Sequence, residues 1–109
     1  MKHLVSLCCA VLMLVACSKQ PNNNIEAHKA AMKRFETMIN TADSNIAKEL
    51  VANNAPFYTP ASPTPLYGGE GYLSVVHWMR QSFPDVQWKL EDMVAEGNVV
   101  AVRWALSGT

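Results

Sequence analysis

Cysteine is scarce in this sequence, and residues 18–109 contain none, because the three cysteines are Cys8, Cys9 and Cys17. That part of the chain therefore cannot hold a disulfide framework, a cysteine zinc site or a thiol nucleophile. Histidine is scarce too. His28 and His77 fall on separate predicted helices, a spacing that does not suit metal binding, so we expect neither a metal site nor another cofactor.

The sequence also lacks an excess of charge of either sign. Nine lysine and arginine residues balance nine aspartate and glutamate residues, and no basic block interrupts this balance. Binding to nucleic acid normally requires a basic patch, so we expect no nucleic-acid partner. At 109 residues the chain has the length of a single domain.

The apolar segment at the start of the chain is too short to cross a membrane. The uncharged run Leu4–Ala16 follows Lys2, and it falls short of the roughly 20 residues of a transmembrane helix but suits a cleavable signal peptide. Its closing Leu-Val-Ala-Cys resembles the bacterial lipobox. This resemblance implies a signal peptide over residues 1–16, a lipid on Cys17 and a flexible tether over residues 17–24. An ordinary signal peptide with an incidental cysteine is the alternative.

The spacing of apolar residues predicts three helices. The first carries one apolar face, made of Ile25, His28, Met32, Phe35 and Ile39. The second begins at Asp43 or Ser44, either of which can cap it, and continues to Val51. The third follows residues 68–71, ends before Pro84 and places four residues on its core face, which are Tyr72, Val76, Met79 and Phe83.

Two further segments are typical of strands. Ala55–Tyr58 is a short candidate, and the four prolines between positions 56 and 65 then stop regular structure. From Val86 the apolar period changes to two, which predicts a hairpin with its turn at Gly97–Asn98. The alternation breaks near Asp92, where we expect a β-bulge.

This order of elements resembles the SnoaL-like polyketide cyclase and ester cyclase family of the nuclear transport factor 2-like superfamily. The residues that carry the likeness are Gly69, Gly71, Phe83–Val86, Glu96–Trp104 and Ser107–Thr109. The resemblance implies an α+β domain over residues 25–109, in which a curved, cone-shaped antiparallel sheet of the cystatin-like type packs on three helices. The family continues with further strands that hold its acid-base residue. We therefore expect this domain to lack its C-terminal strands. The resemblance assigns no catalytic residue within residues 1–109.

The resemblance further implies an apolar pocket for a small molecule. The aromatic residues expected to line it are Phe35, Tyr58, Tyr67, Tyr72, Trp88 and Trp104. His28 lies on the apolar face of the first helix and is the candidate for accepting a proton from a ligand. A structural histidine at the edge of the core is the alternative reading of that residue.

Two functions are compatible with these features. The first is a SnoaL-like cyclase that closes a carbon-carbon bond through one acid-base residue. The alternative is a non-catalytic module, tethered to the membrane by its lipid, that binds a small apolar ligand or a partner protein. The resemblances also imply a location at the periplasmic face of the outer membrane and a homodimer through the outer face of the sheet, where Lys89 and Arg103 would lie.

Overall fold

The structure is a computed structural model that describes residues 23–109. The predicted signal peptide over residues 1–16, Cys17 and most of the predicted tether lie outside these residues. Within the described part of the chain, no helix is both long enough and apolar enough to cross a membrane.

Three helices and two antiparallel strand pairs make up the described domain. In chain order the elements are α1 (Asn23–Thr41), α2 (Ser44–Leu50), β1 (Pro56–Phe57), β2 (Leu66–Tyr67), α3 (Gly68–Ser82), β3 (Gln87–Glu96) and β4 (Val99–Ser107). Strand β1 pairs with β2, and β3 pairs with β4. This arrangement confirms the predicted α+β fold class.

Two residues, Ala42 and Asp43, join the first two helices. Ala42 has a positive φ of 53°, and the next N–H, from Asp43, donates to the Met38 carbonyl at 3.2 Å, as in a Schellman helix end. The Asp43 carboxylate then accepts the N–H groups of Asn45 at 2.8 Å and Ile46 at 3.1 Å. Asp43 is therefore the N-cap of α2, one of the two caps that the sequence allowed.

Helix α3 forms where it was predicted, but its buried face is rotated. The prediction that Phe83 belongs to the core face was wrong, because α3 ends at Ser82 and Phe83 is 46% exposed. Leu73, which is not one of the four predicted core-face residues, is 1% exposed. The rotation follows from Gly69, where an added Cβ would lie 2.7 Å from the Cβ of Ala47, so that α3 turns its Gly69 and Leu73 side towards α2.

The long hairpin has the turn and the bulge that the sequence predicted. The pairing shifts by one residue between Leu90 and Asp92, which leaves Glu91 as the extra residue of β3. Gly97 has a φ of +56°, and glycine supplies this conformation without steric cost in a two-residue turn. Strand β2 was not predicted, since it is only two residues long and follows Pro65 directly.

The core lies between the three helices and the inner face of the hairpin. Its fully buried residues are Met38, Ile39, Ala47, Leu73 and Val76. Trp88 and Trp104 pack against this cluster from the hairpin. Helix α1 contributes to the core and also covers the edge of β3, which fixes the position of the helix along the strand.

Candidate functional site

Four aromatic rings from four different elements meet beside the core. Phe35 comes from α1, Phe57 from β1, Tyr72 from α3 and Trp104 from β4. We call these four residues the aromatic cluster. Since each element contributes one ring, the cluster exists only in the folded chain.

Tyr72 is the centre of the closest contacts in the aromatic cluster. Its ring meets Phe35 edge-on, with a centroid distance of 4.8 Å and an interplanar angle of 75°. Phe57 lies on it at 4.3 Å with an angle of 46°. Edge-to-face and tilted pairs at these distances are favoured by the ring quadrupoles, so the two phenylalanines restrain the tyrosine ring.

Trp104 brings the inner face of the sheet into the same cluster. Its ring centroid lies 6.3 Å from that of Phe35. In the hairpin Trp104 is paired with Leu90, and strand alternation places both side chains on the face that packs on α1. The aromatic cluster thus joins the inner face of the hairpin to the helices.

Three members of the aromatic cluster, Phe35, Tyr72 and Trp104, pack against the buried apolar core. Burial raises the pKa of the Tyr72 phenol above its ordinary value of 10.0, because desolvation disfavours the charged form. The phenol therefore keeps its proton at neutral pH and can donate a hydrogen bond. The site suits an uncharged, ring-containing molecule.

The structure brings together three of the six aromatic residues that the sequence predicted as pocket-lining, namely Phe35, Tyr72 and Trp104. Trp88 is half-buried and packs against the core on the inner face of β3. Tyr58 is 74% exposed and Tyr67 is 57% exposed. Both belong to the β1–β2 region but lie outside the aromatic cluster.

His28 lies on the same face of α1 as Phe35, seven residues earlier, which is about two turns. Its side chain is half-buried and makes no hydrogen bond with any residue that the structure describes. His77, by contrast, is exposed on α3. Residues 23–109 contain no group of three or more histidine, cysteine or acidic residues that could hold a metal.

Sequence reasoning missed Phe57, although it touches Tyr72 directly. Strand β1 has only two residues, so no alternation could show which of Phe57 and Tyr58 faces inward. The pairing of Phe57 with Leu66, whose side chain is also half-buried, identifies the inner face of this small sheet. The inward-facing residue of β1 can be assigned only from its pairing with β2.

The outer face of the hairpin carries two shallow depressions that share no residue with the aromatic cluster. One of about 270 Å³ is lined by Asp92, Met93, Val94, Ala101, Val102 and Arg103. The other, of about 340 Å³, is lined by Val94, Glu96, Val99 and Ala101. Both are open to solvent, so neither encloses a small molecule as a ligand pocket does.

Comparison with known proteins agrees with this fold. The family model described as SnoaL-like polyketide cyclase matches residues 29–109. The crystal structure of wild-type IdmH from Streptomyces antibioticus, described as a candidate polyketide cyclase, superposes with a TM-score of 0.64 and 27% identity. A loop-truncation variant of IdmH gives the same two values.

Each of the two IdmH structures covers 74% of this chain, and the chain spans 63% of wild-type IdmH and 69% of the variant. No curated protein matches the chain in sequence. The family model matches most of the chain, and the structural comparison shows that the chain shares the fold of IdmH.

Proposed function

The chain belongs to the SnoaL-like polyketide cyclase family, and from this premise we propose that it binds a small, uncharged, largely apolar molecule against the aromatic cluster. The observation that carries the proposal is the meeting of four rings from α1, β1, α3 and β4. Rings held by four elements present a pre-formed apolar surface, which lowers the cost of ordering a ligand. The IdmH structures support the same reading by analogy.

Tryptophan fluorescence tests this binding. Tetralin, a bicyclic hydrocarbon, is titrated into the purified protein, and we expect a saturable change in emission that comes from Trp104. The variant Trp104→Phe should lose most of this change, whereas Trp78→Phe should keep it, because Trp78 is 57% exposed and lies outside the aromatic cluster. A flat response across tetralin and other bicyclic hydrocarbons would count against the proposed pocket.

We further propose that the bound molecule undergoes ring closure between a carbonyl carbon and an activated carbon, as the family's description suggests. Closing such a bond by aldol addition removes a proton from the carbon next to one carbonyl, and a half-buried imidazole can accept it. The resulting carbanion forms the new bond at the second carbonyl carbon, whose C=O π electrons pass to the oxygen, and the imidazolium returns the proton to that oxygen to give a hydroxyl. His28 is the proposed acceptor in the described residues, since it shares the face of α1 that carries Phe35.

Exchange of the carbonyl-adjacent protons of 1-tetralone with deuterated water reports on this step without requiring the natural substrate. We expect the protein to accelerate the exchange and His28→Ala to abolish most of the acceleration. His77→Ala is the matched control, because that side chain is exposed on another helix. Binding of 1-tetralone without acceleration would favour the alternative, a non-catalytic binding module.

We also propose that the protein is a lipoprotein anchored through Cys17 at the periplasmic face of the outer membrane. The support is the sequence Leu14–Cys17 with the apolar run before it. Two or more acyl chains on the cysteine give stable anchoring. Intact mass of the membrane-extracted protein should show the diacylglycerol and the loss of residues 1–16. Cys17→Ser should remove both and release the protein from membranes.

A further inference from the structure

Three aromatic rings lie on the surface of the domain, outside the aromatic cluster. Tyr58, Tyr67 and Trp78 are each more than half exposed. The remaining tyrosine and the two remaining tryptophans pack against the core instead. A large exposed ring forgoes the free energy that its burial would contribute, so three such rings on adjoining elements mark a surface with a binding role.

Helical spacing places one of these tyrosines and the tryptophan on the same side of α3. Tyr67 is the N-cap residue of this helix, and Ser74, Trp78 and Gln81 follow it after seven, eleven and fourteen residues. At the helical period these four residues stay within about 40° of one direction. All four side chains are exposed.

Tyr58 extends this side of α3 across the small sheet. In the β1–β2 pair Pro56 lies opposite Tyr67, and Phe57 lies opposite Leu66. Because side chains alternate, Tyr58, directly after β1, shares the outer face of the pair with Tyr67 and is its diagonal neighbour at about 7 to 8 Å. We call Tyr58, Tyr67, Ser74, Trp78 and Gln81 the exposed stripe.

The exposed stripe combines flat rings with uncharged hydrogen-bonding groups. The Ser74 hydroxyl donates to the Gly71 carbonyl at 2.6 Å, which leaves its oxygen as an acceptor. The Gln81 amide offers both a donor and an acceptor. None of the five members is aliphatic or charged, which distinguishes the stripe from the valine-lined depression of the hairpin. Glu70, three residues after Tyr67, borders the stripe and would repel an anionic partner.

We propose that the exposed stripe binds an extended, neutral glycan of β-linked sugars, as in the glycan strands of the bacterial cell wall. A pyranose ring presents a face of C–H groups and a rim of hydroxyl groups, so it can stack on an aromatic ring while its rim bonds to hydroxyl and amide groups. Tyr67 and Trp78 lie roughly 16 Å apart along α3, so linked sugars can contact both rings, whereas a single sugar contacts one. This surface shares no residue with the aromatic cluster, and only the cell-wall source of the glycan rests on the proposed envelope location.

The binding test uses chitotetraose, a linear oligomer of N-acetylglucosamine, and the Cys17→Ser protein. Dissociation constants are measured by isothermal titration calorimetry. Trp78→Tyr keeps a flat ring, whereas Trp78→Leu keeps only an apolar side chain. A stacking contact as strong as that between two protein rings corresponds to roughly a 2-fold to 13-fold change in dissociation constant, so we expect Trp78→Leu to weaken binding by that factor and Trp78→Tyr to stay near the wild type.

Two controls accompany this comparison. Phe83→Leu removes another exposed ring, but Phe83 lines a separate depression with Val86 and Leu106, so binding should not change. N-Acetylglucosamine alone should bind more weakly than chitotetraose, because it reaches only one ring of the stripe. Thermal unfolding of each variant verifies that its fold is intact.

Co-sedimentation with purified peptidoglycan sacculi tests the source of the glycan. We expect the Cys17→Ser protein to pellet with sacculi, chitotetraose to release it, and Trp78→Leu to pellet less. Equal affinities of Trp78→Leu and Trp78→Tyr for chitotetraose would overturn the stacking role of the stripe. Binding of chitotetraose but not of sacculi would overturn the cell wall as the source. Flotation with phosphatidylcholine vesicles and no binding of either glycan would assign the stripe to a lipid surface and overturn the proposal. These results do not depend on a ligand at the aromatic cluster, so the two proposals can fail separately.

Discussion

At the scale of single residues, the most informative side chain outside the aromatic cluster is Asn40. Its amide nitrogen donates to the Trp88 carbonyl at 2.7 Å, and its amide oxygen accepts the Trp88 N–H at 2.9 Å. One turn earlier, Glu36 accepts the N–H of Leu90 at 2.7 Å. These two side chains of α1 take the place of a neighbouring strand along the edge of β3, which would otherwise expose unpaired backbone groups.

Replacing Asn40 with alanine should destabilise the protein by about 1 to 3 kcal/mol, since two part-buried backbone groups of Trp88 lose their partners. Urea unfolding measures this loss. Lys33→Ala is the control, because Lys33 is exposed on the same helix, and we expect a change within about 0.5 kcal/mol. An Asn40→Ala protein as stable as the control would show that the edge of β3 does not need the helix.

Asp85, in the turn before β3, forms hydrogen bonds with Thr109, which lies two residues after the end of β4. Its carboxylate accepts the Thr109 N–H at 3.0 Å and the Thr109 hydroxyl at 2.7 Å. These bonds, the backbone one first, hold the pKa of Asp85 below its ordinary value of 3.8. A lowered folded-state pKa means that the stabilisation is complete above the unfolded-state value and is lost as the pH falls through the folded-state value.

We therefore expect the melting temperature of Asp85→Asn to lie below that of the wild type at pH 6, and the gap to close as the pH is lowered past 3.8. Calorimetric scans across this pH range measure the gap. Thr109→Ser keeps the hydroxyl, so its melting temperature should follow that of the wild type at each pH. Thr109→Val loses the hydroxyl, so adding Asp85→Asn to it should lower the melting temperature by less than it does in the wild type. A gap that does not depend on pH would contradict the assigned hydrogen bonds.

Residue-scale roles such as these were hard to read from the sequence. Asn40 and Glu36 are four residues apart, which places them on one side of α1, but the sequence does not show that a strand edge lies there. Phe35 was predicted because helical periodicity over a long segment fixes its face. Phe57 was missed because its strand has two residues. Local periodicity identifies inward-facing residues only where an element is long enough to show a period.

At the scale of elements, α3 stabilises the end of α1. Helix α1 has no basic residue in its last turn, so its own sequence leaves the partial negative charge of the C-terminal carbonyls uncompensated. Arg80 of α3 supplies the missing charge. Its guanidinium donates to the carbonyls of Ile39, at 3.2 Å, and Asn40. One of these carbonyls belongs to Asn40, whose side chain covers the edge of β3.

Substituting Arg80 with glutamine should lower the free energy of unfolding by about 1 to 3 kcal/mol, because charge-assisted hydrogen bonds to helix carbonyls are lost. Chemical denaturation measures this loss. Lys33→Gln is the matched control, since it also removes a positive charge but its side chain is exposed on α1, where substitutions usually change stability by less than about 0.5 kcal/mol. Equal effects of the two substitutions would contradict the proposed role of Arg80.

Most elements were predictable, and the exceptions have physical causes. Helix α1 and the β3–β4 hairpin were predicted from long periodic patterns, and the bulge at Glu91 from the break in parity. The face of α3 was misjudged because its apolar residues are spread around the helix, and the contact of Gly69 with Ala47 decides which side turns inward. This contact depends on the packing of two helices, which periodicity within one helix does not encode.

At the scale of the whole molecule, the two faces of the hairpin have different roles. The inner face carries Trp104 and faces the helices. The outer face presents Val94, 67% exposed, and Val99, 64% exposed, on the far side of the sheet from the aromatic cluster. Together with Ala101 these valines line one of the shallow depressions of the outer face, and a contiguous exposed apolar patch is a candidate surface for another protein. We propose that a second copy covers it, since the same patch on both copies is self-complementary under twofold symmetry.

Sedimentation velocity should accordingly show a dimer for the Cys17→Ser protein, in which no lipid can drive association. Val94→Lys should shift it to a monomer with an unchanged melting temperature, because an exposed lysine costs the folded monomer little but two facing lysines repel across a twofold axis. Val94→Thr keeps the shape and should stay closer to the wild type. A wild-type monomer at high micromolar concentration would overturn the dimer. A dimer that survives Val94→Lys would place the interface on another face and leave the outer valines without a partner.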